Sequence, residues 1–356
     1  METGISVVLL AYREADNLKI LIPKIKENLV KAEQPYEILV VDTKEPLDDT
    51  PKICQEYDCR YINQEEPNFG GAFRTGIKYA QKDKCLFLDA DGSHDPKYIP
   101  DLIRKFNDEH CDVVIGSRYV DGGQTFDAKS SIVMSRILNT VFRFCLGIKA
   151  KDISTDYRLY HTEDLKAVEL ENKNYDILQE VLLKIQLNYG RSLKIGEVPI
   201  SFQKRVYGES KRRLIPFIID YIKSLVRLTF LRFPGLRNFV LYGIFGLIAA
   251  GLEYAVFALL LHSSFIKQPE FCNIIGSICG FIFAFSANTY KNFSRHDRFF
   301  FRLVSYGLIC LCGIAFSTMI ISHYKSSANL YLVKAILLVV VSCVQFILNK
   351  KITYRE

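Results

Sequence analysis

Apolar positions along the chain follow two rhythms. Up to about Phe202, short apolar runs alternate with amphipathic stretches, and charges are scattered throughout. The runs ISVVLLAY, YEILVVD, RYIN, CLFLDAD and DVVIGSR are short, rich in β-branched residues and bounded by turn-formers, so they predict strands. Helices are predicted over 17–31, near 50–57, over 70–82 and over 97–109. Strands and helices in this alternation predict a mostly parallel sheet with helices on both faces. Ligands of such sheets collect at the carboxyl ends of the strands.

From Phe239 onward the apolar runs lengthen. Four of them, 239–261, 271–290, 302–322 and 331–349, reach the ~20 residues that a membrane-crossing helix needs. The connection after the second holds Lys291, Arg295, Arg298 and Arg302, and the C-terminal segment holds Lys350, Lys351 and Arg355. The other two connections hold only Lys267 and Lys325. The positive-inside rule therefore predicts a multi-pass protein with both termini in the cytosol. The opening METGISVVLLAYRE lacks the basic flank and the apolar length of a signal peptide, which predicts the same side for the N-terminal domain. Glu253 falls mid-span, where a carboxylate is costly and needs either a proton or a polar neighbour such as Asn288.

Charge changes this picture at one place. Of 356 residues with a formal net charge of +7, the stretch 204–237 holds nine Lys or Arg against Glu209 and Asp220, so the basic excess is local. Lying beside the apolar region, it fits anionic lipid headgroups and not nucleic acid. SKRRLIPFIIDYIKSLVRLTFLRFPG mixes apolar clusters with basic residues, which predicts one or two helices in the membrane interface, broken near Pro216 and Pro234. Three domains follow: 1–203, soluble; 204–237, juxtamembrane; 238–356, membrane-spanning. The ten cysteines show no metal-type spacing with histidines, so neither a zinc site nor a disulfide framework is expected.

The predicted strand ends gather candidate chemistry: Tyr12 and Glu14, Asp42, the pair Asp89 and Asp91, and Arg118. The predicted strand CLFLDAD carries both acids at its end, so alternation lets Asp89 and Asp91 point the same way, and like charges so close call for a cation. Oxygen-only ligands suit Mg²⁺ or Mn²⁺, which commonly hold substrate phosphates. Asp42 suits ribose hydroxyls or a base edge. NFGGAFRTG offers glycines for close backbone approach, but it lacks the spacing of a phosphate-binding P-loop.

In order along residues 5–211, LAYREADNL, VVD, GGAFRTGIKYA, DADGSHDP, GSRYVDGG, SRILN, STDYRLY, ILQEVL, IGEVPISFQKR and YGESK resemble family 2 glycosyltransferases of the polyprenyl-phosphate (dolichol-phosphate) mannosyl- and glucosyltransferase type. The four-span tail, with ANTYKNFSR, resembles the GtrA-like membrane family. The resemblance implies a GT-A, Rossmann-like domain followed by interfacial helices and four transmembrane helices. It implies inverting transfer of a sugar from a GDP-mannose or UDP-glucose class donor to a polyprenyl phosphate at the cytosolic membrane face. Asp91 would hold the metal, Asp89 the nucleotide-sugar and the metal, and Tyr12, Glu14 and Asp42 the nucleoside. Arg118, Ser135 and Arg136 would hold the lipid phosphate, with Arg205 and Lys211 closing over the phosphates. The partners implied are the donor, the lipid acceptor and the bilayer, with oligomeric state left open. The chain departs from the family at TKEPLDDT after Asp42, at Leu10 (Pro in the family), at Ser131 (basic in the family, with Lys129 nearby) and at Asp156 (Gly in the family). The first departure leaves the donor nucleotide open, and the last opens the alternative of a modified sugar.

Three rivals remain on sequence. A processive polysaccharide synthase of this class carries a Q-x-x-R-W motif, and this chain has no tryptophan. A non-catalytic sugar-lipid flippase or scaffold would have no use for Asp89, Asp91 and Arg205. A soluble nucleotidyltransferase would leave the apolar tail without a purpose.

Overall fold

A computed structural model describes residues 1–126, 129–203, 214–263, 269–323 and 330–355. The chain divides into two compact units, Met1–Arg232 and Phe233–Glu356. In the first, the elements run β1 (Glu2–Leu10), α1 (Ala15–Lys31), β2 (Tyr36–Asp42), α2 (Thr50–Glu56), β3 (Arg60–Asn63), α3 (Asn68–Tyr79), β4 (Lys82–Asp89) and α4 (Ile99–Asp108). They continue with β5 (Val113–Ser117), β6 (Gln124–Thr125), α5 (Lys129–Leu146), β7 (Arg158–His161), α6 (Thr162–Lys166), α7 (Ile177–Tyr189), β8 (Ile195–Pro199), β9 (Ser201–Phe202) and α8 (Leu214–Arg232).

Seven strands form one sheet in the order β3-β2-β1-β4-β7-β5-β8, with β6 and β9 pairing apart. All neighbours in the large sheet are parallel except β7, which runs antiparallel to β4 and β5. Alternation sorts the inner strands between two cores. Val7 and Leu9 of β1 join Leu18, Ile22, Ile53 and Ile103 of α1, α2 and α4. Val8 joins Phe73, Phe142, Leu165, Val181 and Tyr221 of α3 and α5–α8. Covered on both faces, the strands read as nearly continuous apolar runs.

Two local expectations are corrected. Strand β4 ends at Asp89, and Gly92, at φ 78°, turns the chain just beyond Asp91. A turn, and not a shared pleat, therefore places the second carboxylate. The glycines of NFGGAFRTG serve close approach, but to protein: a Cβ on Gly70 would lie 2.2 Å from the Asn172 carbonyl oxygen, and one on Gly71 2.0 Å from that of Glu66.

Helix α8 packs into the first unit through Tyr221, Ser224 and Leu228, which are buried at helical spacing. Arg227, expected to face lipid phosphates, instead donates to Asn172 Oδ1 (2.7 Å) and Glu180 Oε1 (2.9 Å) and pairs with Glu171. Arg232 caps the end of α5 by donating to the Cys145 carbonyl at 3.0 Å. Apolar side chains stay exposed on α5 (Val133, Ile137, Phe144) and on α8 (Ile219, Ile222, Val226).

The second unit contains α9 (Pro234–His262), α10 (Pro269–Ser286), α11 (Phe299–His323) and α12 (Leu330–Leu348). By length and composition α9 and α11 can cross a membrane, over 234–260 and 299–316. Helices α10 and α12 each run into a π-helical turn, Ala287–Asn292 and Asn349–Thr353. The hairpins α9–α10 and α11–α12 repeat one another. Phe285, Asn288, Asn292 and Phe293 correspond to Phe346, Asn349, Thr353 and Tyr354, and Tyr242-Gly243 corresponds to Tyr306-Gly307. Their bonds are exchanged between hairpins: Asn288 donates to the Tyr306 hydroxyl (3.4 Å) and Asn349 to that of Tyr242 (3.0 Å). Phe293 and Tyr354 stack at 4.2 Å between ring centres. Glu253 accepts from Ser277 Oγ on α10 at 2.6 Å, so its partner is not Asn288.

Candidate active site

The order β2-β1-β4 brings the ends of three strands side by side, with Leu10 of β1 in register between Val41 and Asp89. Beyond β4, Asp89 is half-buried while Asp91 is buried, its Oδ1 accepting from Ser93 N (3.0 Å) and Ser93 Oγ (2.5 Å). His94 is buried between carboxylates: its Nδ1 stands 3.6 Å from Asp89 Oδ2 and 3.5 Å from Asp156 Oδ1. That nitrogen accepts the Asp89 backbone N–H at 3.2 Å, and Nε2 lies 3.2 Å from Thr155 Oγ1. Burial holds the His94 pKa below its ordinary value and keeps the ring neutral. Burial first, and then the charges of Asp89 and Asp91, push the Asp156 carboxyl well above the usual range. Acids so crowded need a proton or a cation among them.

Ligand atoms of Asp89, His94 and Asp156 all lie within 4.8 Å of one another. Together with Asp91, this set is dominated by carboxylate oxygens, which fits Mg²⁺ or Mn²⁺. His94 was not singled out from the sequence, although it stands in DADGSHDP. Its signal was a histidine three residues after two acids at a strand end.

The predicted nucleoside side is less uniform. Tyr12 is 47% exposed, with the Arg13 guanidinium 5.9 Å from its ring centre. Glu14 stands just ahead of α1 and accepts from Asn17 Nδ2 at 2.5 Å. Asp42 is fully buried: Oδ1 accepts from Thr43 N (2.7 Å) and Oδ2 from the Tyr61 hydroxyl (3.1 Å), and burial raises its pKa. It braces the end of β2 and offers no open edge. Within the unusual TKEPLDDT, Asp48 joins the starts of two helices by accepting from Ala15 N and Thr50 N, each at 3.0 Å.

The predicted lipid-phosphate residues meet at the end of β5. Arg118 is less available than its position suggested. Asp152, fully buried, accepts from its Nε (2.8 Å), Nη2 (3.0 Å) and backbone N (3.1 Å), and Ser154 Oγ accepts from Nη2 at 2.7 Å. Ser135 Oγ lies 3.0 Å from Ser154 Oγ. Arg136 is exposed, with its guanidinium 5.4 Å from the ring centre of Tyr119. Arg118, Tyr119, Thr125, Phe126, Ile132 and Arg136 line a cleft of about 330 Å³. Arg205 and Lys211 lie outside the described residues.

A doubly wound sheet with acids at its carboxyl edge, beside an arginine-lined cleft, is the frame of a GT-A nucleotide-sugar domain. Comparison with known families agrees: residues 6–168 match "Glycosyl transferase family 2" and 241–354 match "GtrA/DPMS, transmembrane domain". The chain thus carries a family 2 glycosyltransferase domain joined to a GtrA/DPMS membrane domain, and it is a membrane protein. A dolichol-phosphate mannosyltransferase of Pyrococcus furiosus is 28% identical, with 98% of this chain and 99% of that one covered. An undecaprenyl-phosphate mannosyltransferase of Micrococcus luteus is 29% identical, covering 56% of this chain and 84% of its own. Among solved structures, glucosyl-3-phosphoglycerate synthase of Mycobacterium tuberculosis, crystallised with Mn²⁺, UDP and glucosyl-3-phosphoglycerate, shares the fold at TM-score 0.50 and 19% identity. That likeness covers 64% of this chain and 80% of the other.

Proposed function

We propose that the chain transfers a sugar from a nucleoside-diphosphate donor, GDP-mannose or UDP-glucose in class, to a polyprenyl phosphate at the cytosolic membrane face. The observation that carries this is the acidic cluster around Asp89 standing beside the arginine cleft, in a chain whose other unit is a membrane domain. Mannosyltransferases acting on dolichol and undecaprenyl phosphates are the relatives this chain is similar to.

Attack by an acceptor phosphate oxygen on the anomeric carbon forms the new carbon–oxygen bond as the bond to the donor diphosphate breaks, inverting that carbon. The attacking oxygen is already anionic, so no strong general base is required. A bound Mg²⁺ or Mn²⁺ would neutralise charge on the departing diphosphate. Asp89 and Asp91 would hold that ion, aided by Asp156. Tyr12 and Glu14 would meet the nucleoside, with Asp42 bracing the end of β2 through Thr43 and Tyr61. Arg136 would hold the acceptor phosphate, with Ser135, Arg205 and Lys211, while Arg118 shapes the cleft from its pairing with Asp152. The exposed apolar faces of α5 and α8 would rest on the bilayer.

Lys291, Arg295, Arg298, Lys350, Lys351 and Arg355 argue for cytosolic ends of α10 and α12. Arg302 does not add to that count, because it is buried and paired with Asp297 at 2.8 Å. Asp156, at a position the family fills with glycine, supports a second reading in which the sugar is modified.

The deciding experiment supplies a panel of UDP- and GDP-sugars to membranes with polyprenyl phosphate and weighs the lipid product. A monophosphate-linked sugar lipid is expected. A sugar-diphosphate lipid with release of nucleoside monophosphate would mean phosphosugar transfer and would overturn the proposal.

A further inference from the structure

Residues 152–156 touch both halves of the site. Asp152 and Ser154 hold Arg118, and Ser154 meets Ser135 on the cleft side. Thr155 and Asp156 face His94 on the acidic side. At the centre sits Ile153, fully buried, and three side chains from three different elements grip its peptide groups. Asn139 Oδ1 of α5 accepts its N–H at 3.1 Å. Its carbonyl takes two donors, Arg158 Nη2 of β7 at 2.7 Å and Gln179 Nε2 of α7 at 2.8 Å. Arg158 Nη1 also donates to the Leu178 carbonyl at 2.7 Å and to the Tyr160 hydroxyl at 3.1 Å.

This grip is expensive. Arg158 is fully buried, and no carboxylate pairs with it among the described residues. Arg158 Nε and Gln179 Oε1 are buried and find no partner among the described residues. Packing alone would be served better by apolar residues of similar volume, since a buried charge or an unmet polar atom costs stability. What the guanidinium adds is geometry: its rigid planar fork fixes two carbonyls at once.

We propose that Asn139, Arg158 and Gln179 are positioning residues that pin Ile153, and that through Ile153 they set the spacing between the acceptor-phosphate cleft and the acidic cluster. The inference rests on the transfer reading above for its kinetic consequence, but not for its structural one. When the pin loosens, the donor still binds and the metal-side carboxylates remain. The acceptor oxygen and the anomeric carbon then no longer meet at attack distance, so water competes for the sugar.

The test uses the full-length protein in detergent or nanodiscs with Gln179→Leu, Arg158→Lys and Arg158→Met. For Gln179→Leu and both Arg158 variants, transfer kcat should fall by about 100-fold, the cost typical of a small misplacement of reacting groups, while donor KM hardly moves. The share of donor hydrolysed to free sugar should rise. Lysine should not rescue, because it keeps the charge and loses the fork. Independently of activity, hydrogen exchange in Gln179→Leu should quicken by about tenfold, as losing one net hydrogen bond implies, in peptides spanning 116–119 and 92–95 together, with α1 unchanged. Proportional loss of transfer and hydrolysis, full rescue by Arg158→Lys, or faster exchange on one side alone would overturn the proposal. If the parent protein makes no sugar lipid from any donor, the transfer reading falls, and the exchange measurement still decides the linkage.

Discussion

In the first unit, Asp89 and Asp156 flank one buried imidazole, with Asp91 two residues beyond Asp89, and Arg118 faces Asp152 in a largely buried ion pair. In the second, the buried polar centre is mostly neutral. Asn288, Asn349, Thr353, Tyr242 and Tyr306 answer one another, and the ionisable groups that depart from this among the described residues include Arg302 with Asp297 and Glu253 with Ser277. The contrast teaches where each unit spends polar burial. Amides and hydroxyls that satisfy each other can lock helices together and ask for nothing from outside. Acids that cannot all be ionised without a cation are poorly suited to that task, and they mark the place where a ligand completes the structure.

If this contrast holds, disturbing the first unit should cost far more than disturbing the second. The largest effect is expected from Asp152→Asn, which strands the Arg118 charge. A loss of about 3–5 kcal/mol should appear in thermal unfolding of the purified chain. Burial alone would raise the Asp152 pKa, but the Arg118 charge and hydrogen bonds outweigh it and hold the carboxyl below its usual range. A folded-state pKa lowered in this way stabilises above the unfolded value near ~4 and ceases to do so as pH falls through the folded one. Parent and variant should therefore differ fully at neutral pH and converge in acid. A gap that widened on acidification would contradict the assignment.

Next in size, Asp91→Ala should lower transfer by about 100- to 1000-fold, in the range seen on removing one key electrostatic group. Mn²⁺ binding followed by electron spin resonance should weaken with it while the fold persists. Unchanged ion binding would remove Asp91 from the metal site. Arg136→Ala should raise KM for the lipid phosphate by about tenfold, the worth of one charge-assisted hydrogen bond, with kcat little altered. A change confined to kcat would place Arg136 elsewhere in the reaction. The smallest effects belong to the second unit. Asn288→Leu and Asn349→Leu should each cost about 0.6 kcal/mol and resemble one another, as equivalent bonds in equivalent hairpins should. A loss several times larger for either would break the contrast between the units.

The strands β1, β2, β4 and β5 were legible because a sheet covered on both faces imposes continuous apolar runs on its sequence. Strand β7 was not, since four residues ending in His161 carry no periodic signal and take their direction from distant neighbours, Cys85 in register with Tyr160 on one side and Val113 in register with Tyr160 on the other, 75 and 47 residues away. Asp89 and Asp91 stood out as candidate cation ligands, but the turn at Gly92 that aims Asp91 did not show. Arg118 and Arg227 looked like free cations because their carboxylates, Asp152 and Glu180, lie 34 and 47 residues distant. Pairing at that range is a property of the fold and leaves no local trace. The hairpin repeat was readable in principle: F-x-x-N-x-x-x-N-F and F-x-x-N-x-x-x-T-Y stand in plain sequence, hidden only by the sameness of apolar residues around them.

That repeat carries a consequence for sidedness. A hairpin hands the chain back on the face from which it departed, so a unit assembled from whole hairpins has an even number of passes by construction. Doubling such a unit, or halving it, leaves an attached domain on the side of the membrane where it started. A lone hairpin would present one unanswered tyrosine and one unanswered asparagine, complementary to those of a second copy. In an anchor assembled from whole hairpins, copy number and orientation are thereby uncoupled, and duplication does not reverse the side on which an attached domain lies.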